Sequence, residues 1–318
     1  MKTFGNINVD YVHTTLSDTL TFAAQNLFRD NLNDNIRLII EKPQVRVFTL
    51  DEVDSTTRSD KKNVRLDFSK TLSSFNYYFY ITGGFAMEHL NRRIENYWDA
   101  RSEHFSKTRR LELSGADGDA WRDLLKKNLP DGNLKILDVG TGAGFFAAIL
   151  SDLGHKVIGI DMSTKMLGEA EKNLRELKLH ADFLKMNAQA LNFPDETFDA
   201  IVTRNLTWTL PDVKAAYREW RRVLKPGGVL MNFDSDYGDE NFSDCTVEEI
   251  TAAQLTECDA IKNSLAISTR RRPLWDVKFL RGLNFVVRLE EDISPAVQRD
   301  IRCVYDSVPL FAIKAVRN

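Results

Sequence analysis

Cysteine is scarce in this sequence. Three occur in 318 residues, Cys245, Cys258 and Cys303. They stand far apart, so no paired-cysteine spacing for zinc exists, and an odd count suits a reducing compartment. No apolar run is long enough to span a bilayer. Met1 to Asp10 lacks the basic region and apolar core of a secretory signal. Positive charge is not in excess either, with 43 Lys and Arg against 46 Asp and Glu. That balance gives no general attraction to nucleic acid. Asp234 and Asp236 stand close together, but the rest of a magnesium site is not visible, so no metal is expected. Internal repeats and low-complexity segments are absent. The expectation from these absences is a cytoplasmic protein with neither a nucleic-acid nor a membrane partner.

What is present fits an ordinary globular chain, 43% hydrophobic and 28% charged, which excludes disorder as a class. The length suits about two domains. Residues 1–85 read as an α+β region. An amphipathic helix is expected at 16–28, strands at 36–40, 45–50 and 64–68, and a polar loop at 54–62. An aromatic-dense stretch, 75–85, ends at Gly83-Gly84. This region reads as a small aromatic-cored domain, with a lid or a homodimer contact as the functional alternative. Residues 86–318 form the second domain. It begins with helices over 88–128, broken at Ser114-Gly115-Ala116-Asp117-Gly118. The first of them sets Tyr97, Trp98, Arg101 and Phe105 near one face at helical spacing.

From Leu134 onward, short apolar strands alternate with amphipathic helices. Strands are expected at 134–139, 156–160, 182–186, 198–203, 229–233, 284–289 and 310–316. Ser163 caps one helix, and Pro211-Asp212 opens another that stops at Lys225-Pro226-Gly227-Gly228. Helices are further expected at 247–265 and near 274–283. Alternation of this kind specifies an α/β fold, a mostly parallel sheet with helices on both faces.

One stretch organises that half of the chain: Leu137-Asp138-Val139-Gly140-Thr141-Gly142-Ala143-Gly144-Phe145-Phe146. A strand stops at three glycines spaced two apart, and a helix starts. Glycine lets the backbone pass close to a ligand, and the helix start offers unpaired N–H groups. Ligands of an open parallel sheet bind beyond the carboxyl ends of its strands. Asp161 ends the second strand, where a carboxylate can accept two hydroxyls of a ribose. Asn187-Ala188 ends the third, with Met162 offering an apolar lid beside Asp161. Arg204-Asn205 ends the fourth, and Asp234-Ser235-Asp236-Tyr237 ends the fifth. A nicotinamide-binding turn reads G-x-G-x-x-G and meets a pyrophosphate. Here the spacing is G-x-G-x-G, and Asp138 would repel phosphate while orienting the loop around a cationic, amino-acid-bearing ligand.

At these residues the chain resembles the class I S-adenosylmethionine (SAM)-dependent methyltransferases. Four motifs occur in the right order: the glycine stretch; Val157-Ile158-Gly159-Ile160-Asp161; Phe193-Pro194-Asp195-Glu196-Thr197-Phe198-Asp199; and Arg222-Val223-Leu224-Lys225-Pro226-Gly227-Gly228. The subgroup it is most similar to acts on small molecules in ubiquinone and menaquinone biosynthesis. The resemblance implies a doubly wound, seven-stranded sheet ordered 3-2-1-4-5-7-6 with the last strand antiparallel. It implies SAM as the methyl donor and a small-molecule acceptor. SAM would contact Asp138, Gly140, Thr141, Gly142 and Gly144 of the turn, Asp161 and Met162, Asn187 and Ala188, and Arg204 and Asn205. The family more often has Asp at the Asn187 position.

Tyr97 and Trp98 are read either as closing over SAM or as packing the helix onto the sheet. His104 is the candidate base, with a surface histidine as the alternative. Asn205 and Tyr237 are the other candidates for handling the acceptor, and Trp208 is a candidate wall of its pocket. Arg109 or Arg110 could pair with the SAM carboxylate. Arg270-Arg271-Arg272 is read as a solvated connection or a contact for an anionic acceptor. Two other functions are consistent with a sheet of this kind: a non-catalytic SAM-binding scaffold, and a nucleotide-dependent oxidoreductase.

Overall fold

The computed structural model describes side chains in residues 87–244, 249–297 and 308–318, and before residue 87 only backbone elements. The chain forms two compact units, Met1–His89 and Leu90–Asn318. In the first, β1 (Lys2–Phe4) pairs antiparallel with β2 (Ile7–Val9), and β3 (Ile36–Glu41) with β4 (Gln44–Thr49). The expected helix at 16–28 and polar loop at 54–62 lie outside the described residues. So does the expected strand at 64–68, except for Phe68, which starts a helix instead. That helix, α1 (Phe68–Leu113), runs for 46 residues and passes through Gly83-Gly84 without a break. Two glycines weaken a helix but do not end it when it continues on both sides.

The second unit contains the α/β fold. After α1 comes α2 (Ala116–Asn128). Then β5 (Lys135–Val139), α3 (Phe145–Asp152), β6 (Lys156–Asp161), α4 (Thr164–Leu177), β7 (Asp182–Lys185) and β8 (Phe198–Arg204) follow. The chain continues with α5 (Val213–Val223), β9 (Leu224–Ser235), α6 (Ala252–Ser264), α7 (Leu274–Gly282), β10 (Phe285–Glu290), α8 (Ser294–Val297) and β11 (Leu310–Arg317). Seven strands form one sheet in the order β10-β11-β9-β8-β5-β6-β7. Read from β7, this is 3-2-1-4-5-7-6. β11 is antiparallel to both β9 and β10.

Strand periodicity sorts the core to the two faces. Leu137, Val139, Ile201, Leu230 and Ile313 pack with Tyr217 and Trp220 of α5 and Leu280 of α7. Ile136, Ala200, Val202, Met231 and Phe233 pack with Trp121 and Leu125 of α2 and Phe146 of α3. The caps are local. Ser163 accepts from Met166 N at 3.0 Å, and Asp212 from Ala215 N at 2.9 Å. At Lys225-Pro226-Gly227-Gly228 the helix ends, yet no loop intervenes. β9 already begins at Leu224, and a register shift opposite Phe198 and Ala200 absorbs the irregularity. Among the described residues no helix is long and apolar enough to cross a membrane.

Arg272 is neither solvated nor in contact with open solvent: its side chain is 2% exposed. Its Nε and Nη2 donate to the two oxygens of Asp276 at 2.9 Å each. Its Nη1 lies 3.3 Å from Asp234 Oδ2. Tyr217 Oη donates to Asp276 Oδ1 at 2.7 Å and accepts from Asn232 Nδ2 at 2.9 Å. Asp236 Oδ2 accepts from Arg272 N at 3.0 Å. The acids at the end of β9 are thus held by an arginine and backbone N–H groups. Removing one partner of a buried ion pair leaves an uncompensated charge. Arg272→Met should therefore destabilise the full chain by about 3–5 kcal/mol. Urea unfolding followed by tryptophan fluorescence measures this, and a loss under about 1 kcal/mol would contradict the brace.

Candidate functional site

The turn after β5 is built from three left-handed glycines, Gly140 (φ 67°), Gly142 (φ 52°) and Gly144 (φ 83°). Close neighbours reinforce the requirement at the first two. A Cβ on Gly140 would sit 2.8 Å from Leu206 Cδ1, and one on Gly142 would sit 3.1 Å from the ring of Phe105. Asp138 lies beneath the turn, 2% exposed. It accepts from Thr141 Oγ1 at 2.6 Å and from the backbone N–H of Ala147. Asp161 holds the turn from the side. Its Oδ2 accepts from Gly142 N at 3.0 Å and its Oδ1 from Ser163 N at 2.8 Å. Each oxygen of a carboxylate has capacity for a second donor, and Asp161 also lines the adjoining cleft.

That cleft has a volume of about 430 Å³ and opens beyond the carboxyl ends of the central strands. Met162, Met186 and Ala188 make one apolar corner of it. Leu206, Trp208 and Leu210 come from the segment after β8, which includes a 3-10 turn (Thr207–Thr209). Trp208, Tyr237 and Phe242 touch one another, with ring centres 5.1, 5.3 and 5.5 Å apart. Asp234 fixes this segment by accepting from Trp208 N at 3.0 Å and from Thr207 Oγ1. The remaining wall is α1, whose Trp98, Arg101, Phe105, Thr108 and Glu112 recur at helical spacing along the cleft.

Glu112 anchors the charged end of that stripe. It lies 2.7 Å from Arg204 Nη2 and 2.6 Å from Arg109 Nη1, and accepts from Trp121 Nε1 at 3.1 Å. Burial works to raise its carboxyl, but the guanidinium groups of Arg204 and Arg109 outweigh that and hold it below its ordinary range. The Arg204 guanidinium also stacks 4.5 Å from the Trp121 ring centre and 4.9 Å from that of Phe145. Its Nε and Nη1 are buried without hydrogen-bond partners, as is Asn205 Oδ1.

Comparison with known proteins agrees with this geometry. Residues 137–232 match the family described as a methyltransferase domain. Residues 137–232 are thus similar in sequence to a methyltransferase domain. It is 32% identical over 150 residues to a demethylmenaquinone methyltransferase of Lactococcus lactis, covering 46% of this chain and 59% of that protein. To the demethylmenaquinone methyltransferase of Thermus thermophilus it is 37% identical over 128 residues, covering 38% and 56%. To a phosphatidylethanolamine N-methyltransferase of Cereibacter sphaeroides it is 34% identical over 111 residues, covering 33% and 53%. The chain thus spans a little over half the length of these curated relatives. Among solved structures, a SAM-dependent methyltransferase from Aquifex aeolicus is similar at 22% identity and a TM-score of 0.47, covering 69% of this chain and 98% of that one. The fold itself is fixed by the strand order above.

The second unit brings most of the expected site residues to one cleft. His104, Gly140, Gly142, Asp161, Met162, Ala188, Arg204, Asn205 and Tyr237 line it. Others are placed behind it. Asp138 and Thr141 pair under the turn, and Gly144 packs against Ala170 and Leu174 of α4. The Asn187 Oδ1 is taken by Gln189, from its N at 2.9 Å and its Nε2 at 3.0 Å. Tyr97 is buried, its Oη accepting from Arg101 Nη1 at 2.7 Å, so packing is its structural role, while Trp98 lines the cleft. Arg110 pairs with Glu176 at 2.7 Å, away from the cleft. The sequence reading omitted Glu112, which continues the α1 stripe by one turn. It also omitted Cys258 of α6, whose position no local pattern announces.

Burial pushes Asp138 up to about 7, against the hydrogen bonds from Thr141 and Ala147, and pushes Asp161 up to about 6. Both folded-state values lie above the unfolded carboxylate value of about 4. Each group therefore lends stability that is fully present below that value and lost as pH rises through 6 and 7. Asp138→Asn removes one share of that loss. The thermal midpoint of the variant, relative to the natural chain, should climb between about pH 5 and pH 8. A difference that stays flat over that range would refute this titration.

Proposed function

We propose that this chain transfers a methyl group from SAM to a small-molecule acceptor, releasing S-adenosylhomocysteine. The observation that carries the reading is Asp161, a single carboxylate that ties down the glycine turn through Gly142 N and also faces the cleft. With Gly142, Ser163 and Met162 N–H groups already donating to it, its remaining acceptor capacity suits a ribose hydroxyl. Met162, Met186 and Ala188 suit the flat apolar faces of adenine. The unpartnered Nε and Nη1 of Arg204 suit the methionine carboxylate, and Glu112 suits its ammonium. A pyrophosphate would fare badly here, because the turn is flanked by two carboxylates and none of its N–H groups is spare at Gly142. That disfavours a nicotinamide-dependent oxidoreductase.

SAM supplies an electrophilic methyl on a sulfonium. The chain's contribution is largely positioning, which is worth up to about 7–11 kcal/mol in well-aligned cases. In this reading Asn205, which lines the cleft with its Oδ1 buried and unpartnered, meets the acceptor. His104 is the base for an acceptor that must lose a proton, its Nδ1 lying 3.0 Å from Glu249 Oε2. Tyr237 closes the far wall.

Calorimetry on the full chain tests the reading. S-adenosylhomocysteine should bind, NADH should not, and Asp161→Ala should weaken the former at least about tenfold. Binding of NADH alone would sink the methyltransferase reading, and unchanged affinity in the Asp161→Ala variant would sink the ribose assignment. A bound cofactor without turnover of any acceptor would favour a scaffold role.

A further inference from the structure

Three guanidinium groups line the cleft, those of Arg101, Arg109 and Arg204, and their charges are met differently. Arg109 and Arg204 share the carboxylate of Glu112. Arg101 has no carboxylate partner among the described residues. Its Nη1 donates to Tyr97 Oη at 2.7 Å, and its Nε is buried without an acceptor. Its guanidinium carbon lies 5.5 Å and 5.6 Å from the ring centres of Tyr97 and Trp98. The phenol of Tyr97 is held neutral, since burial raises its pKa. A cation stacked between rings and stripped of water on those sides is costly unless an anion meets it.

Position separates Arg101 from the cofactor's own carboxylate. Arg204 ends β8, next to β5 and the glycine turn, and the following Leu206 touches Gly140. Arg101 instead lies one turn of α1 before Phe105, the ring that covers Gly142, and its charge acts on Cys258 of α6, which contacts Tyr97. The neighbouring wall is the uncharged cluster of Trp208, Tyr237 and Phe242. We propose that the methyl acceptor is an organic anion. Its apolar or aromatic body lies on that cluster, and its carboxylate or equivalent anionic oxygens pair with Arg101. This rests on the methyltransferase reading and names the acceptor class within it.

The test uses full-length protein, Arg101→Gln and Arg101→Lys. Each is first titrated with S-adenosylhomocysteine. Saturated with it, each is then titrated with 3-phenylpropanoate and with 3-phenylpropanamide, which match in shape and differ in charge. The natural chain should prefer the acid by at least about tenfold, Arg101→Gln should abolish the preference, and Arg101→Lys should keep part of it. Affinity for S-adenosylhomocysteine should stay within about twofold in both variants. A loss of about tenfold or more in Arg101→Gln would assign this arginine to the cofactor carboxylate and overturn the proposal. So would an acid preference that survives Arg101→Gln. Equal affinity for acid and amide in the natural chain overturns it too, and so does binding of neither at about 10 mM. Failure of the natural chain to bind S-adenosylhomocysteine at all would instead remove the reading beneath it.

Discussion

The glycine turn is held in place by two buried carboxylates. Asp138 grips it from below through Thr141 Oγ1 and the N-terminal turn of α3. Asp161 grips it from the next strand through Gly142 N. Left-handed backbone at three glycines is permitted by the missing side chains but not selected by them. The selection comes from these hydrogen bonds, which are charge-assisted when the acids are ionised. The cost is two acids buried close together, and it is visible in their raised proton affinities. The neighbouring features inherit their positions from this arrangement. Phe105 closes on Gly142, Leu206 closes on Gly140, and the cleft lies between them.

Opposite the turn, α1 supplies a wall in which charge and aromatic rings alternate. Guanidinium groups stack on Tyr97, Trp98, Phe105 and Trp121. Arginine tolerates this because its planar, weakly hydrated head keeps in-plane donors while its faces are covered. One carboxylate, Glu112, pairs with two of those heads. Behind Trp208, the Arg272 brace does a similar job. It fixes Asp234, and Asp234 fixes the Thr207–Trp208 backbone. The cleft is therefore shaped by buried ion pairs that lie just outside it.

The sheet was legible in the sequence because its signals are local. Each strand is a short apolar run bounded by a polar or glycine break, and Ser163 and Asp212 cap helices within their own first turn. The turn and Asp161 were legible for the same reason. What escaped depends on which partner a side chain takes, and several of those partners are distant in sequence. Arg272 reads as one of three exposed arginines, yet it is neutralised by Asp234, 38 positions away. The amide of Asn187 is taken by Gln189 rather than left for a ligand. Gly83-Gly84 looks like a terminus, but nothing in the two residues can report that helix continues on both sides. Glu112 looks like one more charge on a charged helix until Trp121 and Arg204 meet it.

The position of β11 has a consequence for how the fold is assembled. The strand made last in the sheet lies between two made earlier, β9 and β10, and pairs with both. The half that holds the glycine turn, from β5 to β8, closes with the β5–β6, β6–β7 and β5–β8 pairings, all made before β9 is reached in the chain. The other half also needs β11. Until Leu310–Arg317 inserts, β9 and β10 each carry an unpaired edge, and β9 bears Asp234, which holds the Thr207–Trp208 segment of the cleft. The glycine-turn side of the cleft thus depends only on pairings that precede β11 in the chain, whereas the Trp208 side depends on β11 as well.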